Sequence, residues 1–439
     1  MREAEIYDVV GVGIGPFNLA LAALAEPLDD VRAVFFDARP GFSWHPGMLI
    51  PGATLQVPFL ADLVTLVDPT SRWSFLSYLR DRDRLFPFYF AERFHVPRDE
   101  YDDYCRWVAQ ALPSCQFSQQ VDAIRWDAST ALFVAEVVDV HTAKTRFVRA
   151  RNAVLGIGTA PVVPAALRPL LGKEVFHSAE YVDRQESLRG PHDITVLGSG
   201  QSGAEVLLDL LRAQPAAGWR LRWLTKAPAF APMEYSKLGL EHFTPDYTRY
   251  FRRLSEPVRD ALVPAQWQLY KAIDAETIDA IHTELYARTV GGASVPLTMS
   301  PNVEVIAAER GPDGITLTCR ELLEEREFTI RTDRVVAATG YSARRPRCLE
   351  PLDGQIVRDS AGRFQVDASH RVLLNGVAGG LYVQNAELHT HGVGTPDLGL
   401  GAYRAATILN ALSGRTAYRL PPRTAFTSFG AAPPLPDSG

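Results

Sequence analysis

Twice in this chain a short apolar run ends in a glycine-rich turn and reopens as a helix. The run 6–10 leads into Gly11-Val12-Gly13-Ile14-Gly15-Pro16-Phe17-Asn18. Helical character follows over 19–28, and a second apolar run, 31–36, ends at Asp37. Strand, turn, helix, strand and acid fall within roughly 30 residues, the order of a βαβ dinucleotide-binding unit. The order returns at 194–197, Gly198-Ser199-Gly200-Gln201-Ser202-Gly203, 204–211 and 221–225. A helix N-terminus presents unpaired N–H groups and a positive dipole, which suit a pyrophosphate. One such turn is a weak signal; two, each between a strand and a helix, predict two bound nucleotides.

The two units differ at the positions that choose the nucleotide. In the first, Pro16 takes the place of the third glycine, acceptable in a helix's first turn, and Asp37 stands where a carboxylate accepts from ribose hydroxyls. Alternatively, Asp37 is a solvated strand end. The second unit has Arg222 and Lys226 in place of an acid. Cations there suit the 2′-phosphate of NADPH, the other reading being a solvated charged edge. A third marker is the apolar run 335–338, which ends in Ala338-Thr339-Gly340-Tyr341.

A chain of 439 residues is too long for one small core. We expect an α/β protein with two Rossmann-like dinucleotide-binding domains and a helical substrate-closing segment. The first nucleotide is expected on a discontinuous domain, 1–190 and 331–439, and NADPH on 191–330, including the helical stretch of about 235–290. With 46% hydrophobic and 22% charged residues the composition is that of an ordinary globular protein. A net charge of −6 gives no footprint for nucleic acid. We expect no signal peptide and no membrane span. The four cysteines form no CxxC pair, which fits a reducing cytoplasm. The tail 431–439 reads as loose.

With these residues assembled, the sequence resembles the microbial flavin-dependent N-hydroxylating monooxygenases that act on lysine, ornithine or diamines in hydroxamate siderophore synthesis. The resemblance covers nearly the whole chain. Its marks are the first turn through Leu19, Phe42-Ser-Trp-His-Pro-Gly-Met48, Leu55-Gln56 and Phe59-Leu-Ala-Asp-Leu63. Tyr101-Asp-Asp-Tyr-Cys-Arg-Trp107, the second turn through Glu205, Phe243-Thr-Pro-Asp-Tyr247, Ala338-Thr-Gly-Tyr341 and His389-Thr-His-Gly392 complete it. It implies that NADPH reduces FAD, that O2 adds to give a C4a-hydroperoxyflavin, and that a neutral primary amine takes the distal oxygen. The chemistry is then flavin-borne, with no side chain required as catalytic acid or base. Carried over position by position, Trp44, His45, Gln56, the backbone near Val121, and Pro396-Asp397-Leu398 lie at FAD. Ser199 to Ser202 and Lys226 hold NADPH. Trp107 reads as core packing, and no metal is expected at His389 and His391.

Departures from the pattern bear on the substrate. Relatives acting on lysine or ornithine carry a lysine for the substrate carboxylate where this chain has Ala61. They carry amides for the amino-acid head where it has Leu240 and, in a looser alignment, Leu269. A C-terminal serine near the flavin is Gly399. An unpaired amino-acid head costs about 1–3 kcal/mol per buried group. A decarboxylated diamine has no such head, and the stretches Val383–His391 and Thr395–Gly399 look most like the diamine branch. Putrescine or cadaverine is therefore the expected substrate, with L-lysine or L-ornithine as the alternative. The second ammonium needs a carboxylate or an aromatic face, for which Glu387, Asp397, Glu241 and Asp62 are candidates, each also open to a structural role. A disulfide oxidoreductase would need a cysteine pair at the flavin, and a flavin-binding sensor would not need the second turn. Relatives are often dimers or tetramers, so a homo-oligomer is expected.

Overall fold

A computed structural model describes residues 5–190 and 192–431; the tail residues 432–439 lie outside it. The first sheet forms around the strand Ile6–Val12, which ends in the first glycine turn. Its order is Cys115–Gln116, Ala33–Phe36, Ile6–Val12, Thr145–Leu155, Leu132–Asp139, Gln119–Asp127. Thr145–Leu155 is long enough to serve two sheet types. Its first half continues an antiparallel meander, and its second half pairs in parallel with Ile6–Val12 and with Gly380–Val383. The helix Pro16–Ala25 is apolar apart from Asn18 and buried throughout, as so apolar a helix must be. Gly401–Ser413 and Arg98–Ala111 pack against it.

The second sheet is wholly parallel, in the order Leu297–Ser300, Arg220–Leu224, Asp193–Leu197, Arg334–Ala337, Val175–His177. This corrects the expected domain limits of 191 and 331. Val175–His177 and Arg334–Ala337 are strands of the second lobe, with Val335 opposite both Thr195 and Val175. The apolar run before Ala338-Thr-Gly-Tyr341 lies in the second lobe, which its sequence does not show because an apolar strand does not announce its neighbours. Two segments that cross between lobes, Thr159–Pro161 and Tyr341–Ala343, run side by side as an antiparallel pair.

Helices occupy Pro245–Arg253, Glu256–Ala265, Trp267–Tyr270 and Ala275–Arg288. The first shows why: Thr244 caps it, Pro245 opens it, Arg252 and Arg253 meet the dipole at its end, and Tyr247 and Phe251 share one face. That face packs with Val393 of the C-terminal segment, whereas Ile281 joins the core of the second lobe. The helical stretch therefore spans both lobes. Among the described residues no helix is long and apolar enough to cross a membrane.

Candidate active site between two nucleotide turns

The first turn is built for close approach. Gly13 has φ +83°, and a Cβ there would lie 2.6 Å from the Gly156 carbonyl oxygen, so only glycine fits. Gly15 caps the helix with no side chain on its free N–H groups. With Gly11 at the strand end and Pro16 as the first helical residue, the cradle fits a dinucleotide pyrophosphate. Asn18 acts as its brace: Nδ2 donates to the Val12 and Gly13 carbonyls (3.1 and 2.8 Å), and Oδ1 accepts from Gln384 Nε2 (2.7 Å).

Asp37 stands at the strand end, but its oxygens accept from the Ile14 amide (2.8 Å) and from the backbone and guanidinium of Arg39. Burial would raise its pKa, yet Arg39 and the Ile14 amide hold it below the usual carboxylate value. In this state the carboxylate fastens the turn, and a ribose would share it with Arg39. Arg39 also donates to the carbonyls of Ile14 (3.1 Å) and Ser43 (2.5 Å), tying the turn to Trp44 and His45. The Trp44 amide donates to Asp102 (2.6 Å), and its ring meets Tyr101 and His45 edge-on. His45 is exposed, with φ +49°, and its ring lies edge-on to those of Trp44 and Tyr341. Desolvation by the cleft walls, with Arg98 and Arg39, pushes its pKa down to about 4, so its ring is neutral near pH 7. Val121 lies at a bulge in the outer strand of the meander, next to the Gln119 amide that donates to the Asp37 carbonyl.

Three chain segments meet on the far side of the first turn. Pro396, Asp397 and Leu398 lead into the helix Gly401–Ser413, whose first residue abuts Phe17. A Cβ on Gly399 would lie 3.8 Å from the Ala61 Cβ, so these two expected substrate positions are neighbours. Tyr235, which the sequence did not single out, donates to the Gln56 carbonyl at 3.5 Å. Burial raises its pKa, and the charges of Asp274 and Asp397 add to the shift. Leu240 lies in the turn Gly239–Phe243, whose Phe243 borders Gly394. Asp397 accepts from the Gly399 amide (2.5 Å). Burial raises its pKa to about 6, against the Gly399 amide and Arg404, which lower it.

The other proposed carboxylates are occupied. Glu387 is fully buried, with Oε1 at 3.1 Å from His370 Nδ1 and 3.4 Å from Arg404 Nε, and Oε2 accepting from the Ala386 amide (2.7 Å). Burial would raise its pKa, but Arg404 and His370 hold it down. Glu241 accepts from the amides of Phe426 (2.9 Å) and Thr427 (2.8 Å) and so ties down the C-terminal segment. Asp62 accepts four bonds from Val64, Thr65 and Phe75. These partners give Glu387, Glu241 and Asp62 structural roles. Leu269 packs in the cluster of Tyr247, Phe251 and Val393, which Phe243 also joins.

The second turn repeats the first. Gly198 has φ +109°, and a Cβ would lie 2.2 Å from the Ala338 carbonyl oxygen. Gly200 caps the helix Gln201–Ala217 with no side chain on its N–H groups, so Ser199 to Gly203 fit a second pyrophosphate. Ser199 Oγ accepts from Thr225 Oγ1 at 2.9 Å. Lys226, exposed just past the strand end, makes no ion pair or hydrogen bond among the described residues. Arg222 is a correction. Its guanidinium turns to the amino ends of the strands, to Asp193 (3.3 and 3.4 Å) and the Arg331 carbonyl (3.0 Å), away from the carboxyl ends where nucleotides bind.

Comparison with known proteins fits both turns. Residues 5–343 match the model of the L-lysine 6-monooxygenase/L-ornithine 5-monooxygenase family. The chain belongs to this family. It is 40% identical over 427 residues to a putrescine N-hydroxylase of Shewanella oneidensis, covering 97% of this chain and 85% of that one. The crystal structure of DfoA bound to FAD, a cadaverine monooxygenase of the desferrioxamine pathway in Erwinia amylovora, superposes with a TM-score of 0.94. It is 37% identical and covers 98% of this chain and 99% of that one. The ornithine N-hydroxylase KtzI of Kutzneria, with reduced FAD, NADP+ and L-ornithine, has a TM-score of 0.86 at 31% identity, over 93% and 99% of the two chains. FAD and NADP(H) are the cofactors of this enzyme fold. Cys105, Cys115, Cys319 and Cys348 are all unpaired.

Proposed function

We propose that the protein N-hydroxylates one terminal amine of putrescine or cadaverine, with FAD, NADPH and O2, for a hydroxamate siderophore. The observation that carries this is that Ala61 and Gly399 are neighbours, a Cβ placed on Gly399 falling 3.8 Å from that of Ala61, beside Asp397. Two positions that would need polar side chains to grip an amino-acid head hold none, and the neighbouring group is a carboxylate, fit for an ammonium. When bound, FAD supplies the oxygen chemistry, and NADPH supplies the reducing equivalents. The chain's own part is to hold the diamine, exclude water and keep the reacting amine neutral. Apolar walls favour the neutral amine, a part we assign to Leu400 and Phe243, which both border Gly394. Lysine at position 61 would carry its own ammonium to Asp397. Ala61→Lys should therefore lower kcat/KM for the diamine at least tenfold, about 1.4 kcal/mol, in a steady-state assay. Unchanged kcat/KM would put Ala61 outside the pocket.

Lys226 is the cation we assign to the 2′-phosphate. Lys226→Glu should raise the NADPH KM about tenfold, as befits one charge-assisted contact, and leave the weaker NADH reaction within twofold. An equal loss with both nucleotides would contradict the assignment. A reducing cytoplasm suits the four unpaired cysteines. A homo-oligomer, dimer or tetramer, fits the exposed aromatic side chains Phe86 (77%), Tyr89 (72%) and Phe90 (75%), and light scattering would read its size.

A further inference from the structure

We propose that Arg98 and Glu205 form an interlobe latch that positions the nicotinamide-nucleotide turn against the flavin cleft. Arg98 opens the helix Arg98–Ala111 of the first lobe, and Glu205 lies near the start of the helix Gln201–Ala217 of the second. The pair is bidentate: Nη1 donates to Oε2 at 2.8 Å and Nη2 to Oε1 at 2.6 Å. Both side chains are buried. Arg98 Nη1 also donates to the carbonyl of Met48 (2.9 Å), at the end of the Trp44–His45 segment. On the other side, Gln201 Nε2 donates to Glu205 Oε1 (2.9 Å) and Thr277 Oγ1 (3.0 Å), and Gln201 Oε1 accepts from the Asp274 amide (2.8 Å).

A continuous set of bonds thus runs from the segment beside the flavin cleft to the first helical residue of the second turn. Met48 and Ile50 strengthen it by packing into the second lobe's core with Phe176 and Tyr181. The covalent links between lobes include the paired segments Thr159–Pro161 and Tyr341–Ala343, which lie side by side. Adjacent linkers of this kind suit a hinge. A further fixed point beside the linkers sets the angle, and the Arg98–Glu205 fork, whose charges reach Tyr341, provides one.

Stability is not its main product. Desolvating two charges costs nearly what their attraction returns, so a buried pair is weak as glue, while its fork geometry fixes orientation. Arg98 and Glu205 are therefore positioning residues, acting through Gln201. The proposal rests on the second turn's role in holding NADPH.

The test replaces the pair by apolar groups of similar size, Arg98→Met with Glu205→Leu, a change that leaves folding intact because no charge is stranded. In rapid mixing of the FAD-loaded protein with saturating NADPH, the limiting rate of flavin reduction should fall at least tenfold, since an ångström of misplacement costs up to about a hundredfold. FAD affinity and the O2 reoxidation rate of photoreduced flavin should stay within twofold. Small-angle scattering of the FAD-free protein should show a larger radius of gyration in the double variant. A limiting rate within twofold of wild type in a folded double variant would overturn the proposal, as would unchanged scattering. Failure of NADPH to reduce the wild-type flavin would instead overturn the cofactor reading.

Discussion

Asp397→Asn should lower kcat/KM for putrescine and cadaverine about a hundredfold while NADPH still reduces the flavin at the wild-type rate. Losing one partner of a buried charge pair costs about 2–5 kcal/mol, and the low end applies because Asn keeps the acceptor that caps residues 398–400. The pH profile carries the same signature. Burial places the Asp397 pKa at about 6 in the free protein. Above that value the carboxylate is charged and attracts the distal ammonium; below it the group is neutral and the attraction is lost. As pH falls through 6, log kcat/KM should steepen by one further unit per pH unit in the wild type, and this break should be absent from Asp397→Asn. An unchanged kcat/KM would remove Asp397 from the substrate site.

Glu387→Ala should cost far more in stability than in substrate affinity. It strands the Arg404 guanidinium, which is buried, lies over the Phe17 ring at 4.6 Å and donates to the Thr395 carbonyl at 2.6 Å. A buried charge left without its partner costs about 3–5 kcal/mol, enough to lower the thermal midpoint by on the order of 10 °C. Glu387→Leu with Arg404→Met should recover most of that loss, because no charge is stranded. If Glu387→Ala kept the wild-type midpoint and only raised the diamine KM, Glu387 would be a substrate ligand after all.

What the sequence made legible was local. Gly13 and Gly198 advertise their role because only glycine tolerates their φ values and close carbonyls, and the strand and helix on either side are adjacent in the chain. Ala61 and Gly399 became informative only by contrast with a motif that elsewhere carries side chains. The carboxylates could not be sorted this way. Glu387 is held by Arg404 and Glu241 by the Phe426 and Thr427 amides, partners far along the chain or in irregular segments. Asp62 is different: its acceptors serve Val64 and Thr65, a local turn that the spacing could have revealed. Arg222 reaches Asp193 and not the nucleotide end, because a strand's sequence does not say which end of the sheet a long side chain reaches. Tyr235 and the Arg98–Glu205 pair depend wholly on tertiary contact.

The central claim is that the amine substrate carries no amino-acid head. Mass spectrometry of products from purified, FAD-loaded protein with NADPH, O2 and equal concentrations of putrescine, cadaverine, L-lysine and L-ornithine tests it directly. Mono-N-hydroxylated putrescine or cadaverine is the expected main product, formed in step with NADPH consumption. Hydroxylysine or hydroxyornithine with neither diamine hydroxylated would contradict it.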